Sequence, residues 1–185
     1  MNKNKIVITI GIVLSLLFVL PSCFPPFKYL KFEEDGKRRE KLTLNAGNID
    51  LKLKILSQGY YKGGMYEVYL ETHISSDFPI EELSIRPDSI LIFIGEAQLT
   101  KKHIMGGEDF FLKKDKHSYS DAFHFNCPIE QVRAALSANK SNRIKFVFNR
   151  FIIYNDAPVN FDTVYAVDTG ELTQILNELY PPTSE

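Results

Sequence analysis

Ile49-Asp50-Leu51-Lys52-Leu53-Lys54-Ile55 alternates apolar with charged residues over seven positions without a fault. Successive side chains of an extended chain point to opposite faces, so this spacing predicts a strand with one face in a core and one in water. A second stretch repeats it. Tyr66, Val68, Leu70, Thr72 and Ile74 fall on one face, with Glu67, Glu71 and His73 opposite. Ser89-Ile90-Leu91-Ile92-Phe93-Ile94 is almost continuously apolar and rich in β-branched residues, which fits a more central strand. Further strands are expected over Ala122 to Cys127, over Arg143 to Phe151 with Ile144, Phe146 and Phe148 inward, and over Phe161 to Val167.

The connectors are those of hairpins and turns. Gln58 to Gly64 reads QGYYKGG, a hairpin-like loop; Arg86-Pro87-Asp88 and Met105-Gly106-Gly107-Glu108 are turns. Strands at this spacing predict a mostly β fold, an immunoglobulin-like β-sandwich with two short helices. The first helix begins at Pro128, with Ile129, Val132 and Leu136 on one stripe, and resembles the helix that crosses between sheets in many sandwiches. The second follows Asp168-Thr169-Gly170-Glu171, a capping pattern, and carries Leu172, Ile175, Leu176 and Leu179 before Pro181 ends it. That stripe either lies against the sandwich or is a docking surface for another protein.

The chain opens differently. Lys3 and Lys5 precede an apolar run from Ile6 to Leu20, and Pro21 stops it. Fifteen helical residues reach only about 22 Å, short of the ~30 Å of bilayer hydrocarbon, so the pattern is that of an export signal rather than a span. Leu20-Pro21-Ser22-Cys23 resembles the lipobox of bacterial lipoproteins: a leucine three residues before a cysteine, with a small residue between. The proline at its second position departs from the usual pattern. The resemblance covers residues 1–23 alone. It implies cleavage before Cys23 and acyl chains on that residue, and two or three chains hold a protein to a membrane stably. Phe24, rather than aspartate, after the cysteine resembles the outer-membrane class.

The expected organisation is a signal peptide over 1–22, a lipidated cysteine and tether over 23–41, and the sandwich with its C-terminal helix over 42–185. The tether aromatics Phe24, Phe27, Tyr29 and Phe32 rest at the lipid interface or pack on the domain. Loss of residues 1–22 takes Lys3 and Lys5 and no acid, moving the net charge from −1 to −3. Such a balance gives no reason to expect nucleic acid as a partner. With Cys23 acylated, Cys127 has no disulfide partner; it shares a face with Phe123 and Phe125 and is expected as a buried thiol.

Signatures of catalysis do not emerge. The sequence holds no Gly-x-Ser-x-Gly elbow, no phosphate-cradling glycine loop and no His-Glu-x-x-His. Of its four histidines, His73 and His124 lie on the wet faces of their strands and could meet if those strands pair. Asp109, Asp115 and Asp121 are interspersed with Lys113, Lys114 and Lys116, which disfavours a calcium loop. No cofactor or metal is expected. Tyr60 and Tyr61, in a glycine-flanked loop, are the best candidates for exposed aromatics that contact a glycan or an envelope protein. At least one of them could instead fold back over the sandwich. The expected function is therefore a lipid-anchored, non-catalytic binding or assembly module of the bacterial outer membrane. An envelope enzyme of hydrolase type, with scattered site residues, is the second class.

Overall fold

The computed structural model describes residues 28–34, 36–60, 64–104, 113–168 and 170–181. Strands β1 (Lys28–Tyr29), β2 (Lys31–Glu34) and β3 (Lys37–Arg39) come first. The meander β4 (Leu42–Ala46), β5 (Ile49–Tyr60) and β6 (Met65–Ser76) follows. Five shorter strands are β7 (Leu83–Ile85), β8 (Ile90–Ile94), β9 (Ala97–Gln98), β10 (Lys102–Ile104) and β11 (Lys113–Lys114). The long β12 (Ser118–Pro128) runs directly into helix α1 (Ile129–Asn139). Strands β13 (Arg143–Phe148), β14 (Ile152–Tyr154), β15 (Ala157–Val159) and β16 (Val164–Val167) lead to the C-terminal helix α2 (Glu171–Leu179).

These make two antiparallel sheets. The first orders β1-β5-β6-β12-β10, with β4 also on β5 and β11 also on β12; the second orders β3-β2-β16-β13-β8-β9. A small ribbon, β15-β14-β7, closes one end. The alternation seen in the sequence sets the inner faces. In β6 every second residue from Tyr66 to Ser76 is buried, and in β13 Ile144, Phe146 and Phe148 are. Leu51, Leu53 and Ile55 of the first sheet share one apolar core with Ile90, Ile92 and Ile94 of the second. The mostly β sandwich with a crossover helix and a C-terminal helix is therefore the fold.

Helix α1 carries the chain from one sheet to the other. Pro128 caps it with extended backbone, Val132 and Leu136 are fully buried, and Lys140 ends it in the left-handed region at φ 50°. Its last residue, Asn139, lies against the β8–β9 turn, where its amide group donates to the Ile94 carbonyl at 3.1 Å. Gly95 in that turn has φ +58°, and a Cβ there would come within 2.0 Å of Asn139 Oδ1. Only glycine fits.

The structure corrects three expectations, the tether, the 143–151 strand and the α2 cap, and decides two that were open, the place of Phe32 and of the α2 stripe. The tether drawn to residue 41 is shorter, because β1, β2 and β3 already pair into the two sheets. Phe32, like its neighbour Leu30, sits in the core, so of the two readings of that aromatic it is packing on the domain that holds. Arg143 to Phe151 is not one strand. A turn at Asn149-Arg150, with Arg150 left-handed at φ 57°, sends Ile152 into the small ribbon. The stripe on α2 is not free for docking: Leu172 and Ile175 are buried, and Leu176 and Leu179 pack against the same core. Its cap also differs. Asp168 is buried, accepts from the Gly170 amide at 2.7 Å and reaches across the sandwich to the Tyr66 hydroxyl, which donates to it at 2.9 Å.

Candidate functional site

The polar residues gather on the outer face of the first sheet. Antiparallel register places them in rows across the strands. One row runs Thr43 (β4), Lys52 (β5), His73 (β6) and Ser120 (β12), each directly opposite the next. The next holds Lys54, Glu71 and Ala122. Beyond it come Tyr69 with His124, then Glu67 with Asn126. These side chains face outward for the reason their neighbours face in: the charged half of each alternating stretch cannot enter the core without a partner.

The first two rows form an open groove of about 440 Å³. Lys41 and Thr43 wall one side, Lys52, Lys54, Glu71 and His73 cross it, and Ser120, Asp121 and Ala122 close the other. Lys54 Nζ lies 3.3 Å from Glu71 Oε2, and His73 Nδ1 lies 2.8 Å from Ser120 Oγ. Lys41 and Lys52 are exposed and have no carboxylate partner among the described residues. Three lysines thus line a groove in which Lys54 and Glu71 are ion-paired.

Further along the same face is a tighter cluster. The Tyr69 and His124 rings stack with centroids 4.1 Å apart, and Tyr69 donates its hydroxyl to Glu67 at 3.0 Å. His124 Nε2 is 3.7 Å from that carboxylate, with both side chains 15% exposed. Burial first, then the Glu67 charge and its hydrogen bond, hold the Tyr69 hydroxyl well above the usual tyrosine range. Beside it, Asn126 Oδ1 is buried with no hydrogen-bond partner among the described residues.

His73 and His124 do not meet. Their strands do pair, but His73 faces Ser120 and His124 faces Tyr69, four residues or roughly 13 Å apart along β6. Among the described residues no group of histidine, cysteine and carboxylate side chains could hold a metal ion. Cys127 is buried between the sheets, and desolvation pushes its thiol up to about 12, partly countered by Lys101. It is an inert thiol. Tyr60 is the last residue of β5, opposite Met65. Tyr61 lies outside the described residues, as do Cys23, Asp109 and the turn at Met105 to Glu108.

The groove was only half legible in the sequence. Lys52, Lys54, Glu71 and His73 stand on predicted wet faces, yet their meeting with Ser120 depends on a pairing 47 residues distant. Compared with family models, with curated proteins and with solved structures, the chain finds no match.

Proposed function

We propose that the chain is a lipid-anchored, non-catalytic binding module of the bacterial envelope, at the outer membrane, whose ligand site is the groove on the first sheet. The observation that carries the binding reading is the groove itself, lined by Lys41, Lys52 and Lys54 beside a hydrogen-bonded His73–Ser120 pair. The likeness of Leu20 to Cys23 to a lipobox supports the anchor. With β1 starting at Lys28, five residues after Cys23 span at most about 17 Å, so acylation there would hold the sandwich close to the bilayer.

The His73–Ser120 contact is also what favours a hydrolase as the second reading. A nucleophile needs donors poised for the oxyanion that forms. Ser120 instead sits mid-strand, paired with His73 of β6 on one side and Lys113 of β11 on the other, so the backbone around it serves the ladders. That arrangement favours binding over catalysis.

The test is intact mass and membrane partition of the protein expressed in a bacterial host, beside Cys23→Ala. Acyl mass and membrane association in wild type, both lost in Cys23→Ala, are expected. Two unmodified, soluble forms would overturn the anchor.

A further inference from the structure

We infer that the groove on the outer face of the first sheet binds an acidic sugar: a hydroxylated ring carrying one carboxylate. The inference rests on the binding reading above and is independent of the anchor.

Charge comes first. The domain after residue 22 is net acidic, yet Lys41, Lys52 and Lys54 line one groove. Like charges held on neighbouring positions of one sheet face work against folding. Glu71 offsets this for Lys54 alone, at 3.3 Å. The remaining two ammonium groups, both exposed, are an attraction for an anion.

The composition of the lining narrows the anion. It includes no arginine, so the planar fork that grips phosphate at two points is missing from it. One carboxylate, Glu71, crosses the groove and would repel a multiply charged phosphate, while that of Asp121 belongs to the opposite face of the sheet, where it accepts from Tyr119. A single carboxylate needs only Lys41 and Lys52, the two lysines of the lining not engaged by Glu71. The other groups suit hydroxyls. Thr43 and Ser120 both donate and accept, His73 does one or the other at each ring nitrogen, and Glu71 accepts. A space of about 440 Å³ is within the range of small-molecule sites and takes one or two sugar rings. The lining holds no tyrosine, phenylalanine or tryptophan on which a neutral sugar could stack, so recognition falls to the charge.

The experiment titrates the full chain with sodium glucuronate, a galacturonic acid tetrasaccharide, glucose and inorganic phosphate, followed by calorimetry and by amide chemical shifts. Protein is taken from detergent-solubilised membranes if acylated and from the soluble fraction if not, so a failed anchor does not obscure the outcome. Binding of the two uronates, weakened by salt, with glucose silent, is expected. Lys52→Ala should weaken it roughly tenfold, the loss of one charge-assisted contact, with an unchanged melting midpoint. Lys52→Arg should restore part of it. Equal binding of glucose, preference for phosphate, absence of any binding, or indifference to Lys52→Ala would each overturn the inference.

Discussion

Alternate residues of β6 meet opposite worlds. Val68, Leu70 and Ile74 are buried in the core between the sheets, while Glu67, Tyr69, Glu71 and His73, one step along, form part of the polar outer face. The inner set is held by apolar burial, which scales with area and tolerates little change in volume. The outer set is placed by register and by its own hydrogen bonds and ring contacts, and its ion pairs contribute little to stability. One strand therefore separates what holds the fold from what is free to bind.

The sharpest way to break that comparison is to truncate neighbours. Leu70→Ala removes a fully buried side chain and should cost about 2–5 kcal/mol, combining lost transfer energy with an unfilled cavity. Glu71→Ala, one residue on, gives up the partly exposed pair with Lys54 and should stay within about 0.5 kcal/mol. Urea unfolding of both variants decides it, and equal losses would mean the two faces are not so divided.

A smaller effect probes a polar link inside the core. Tyr66 is fully buried, and its hydroxyl donates to the buried Asp168 where β16 leads into α2, tying the first sheet to the far side of the sandwich. Tyr66→Phe keeps the ring and removes one donor from a buried carboxylate, which should cost about 1–3 kcal/mol. Asp168 also accepts from the Gly170 amide, so α2 should loosen first, as faster amide exchange over Glu171 to Leu179. Uniform exchange across the domain would argue against a local role.

The same division explains what could be read from the sequence. Period-two alternation in Ile49 to Ile55 and in Tyr66 to Ile74 marked both faces correctly, because burial itself imposes that period. Cys127 followed from Phe123 and Phe125 in the same way. Which strands stand side by side is a different kind of information. His73 could have faced His124 as well as Ser120 on pattern alone, and the antiparallel register of β6 and β12 decides for Ser120. The stripe on α2 had the same ambiguity, since a helix that packs on its own domain and one that docks on another show identical spacing. Phe32 was hidden for a simpler reason: β2 is four residues long, too short to establish a period.

The smallest expected effect asks where the outer face behaves like the inner one. Tyr69 faces outward, yet burial and Glu67 raise its hydroxyl as burial alone raises the Cys127 thiol within the core. Both groups are neutral when protonated, so the folded state holds their protons more tightly than the unfolded chain. Their contribution is fully present below the unfolded values, about 9 for the thiol and 10 for the phenol, and is lost as pH rises through the folded ones. Stability should then fall from pH 9 upward through Cys127 and steepen above pH 10 as Tyr69 joins, by at most about 1.4 kcal/mol per pH unit for each group. Lys101 opposes this below its unfolded value, because burial lowers its folded pKa and the unfolded chain binds the extra proton. Comparing variants isolates each group: Cys127→Ala should flatten the profile between pH 9 and 10, and Tyr69→Phe should do so only above 10. If Tyr69→Phe leaves the alkaline limb unchanged, its phenol is solvated after all, and the cluster with His124 belongs to the wet face in full.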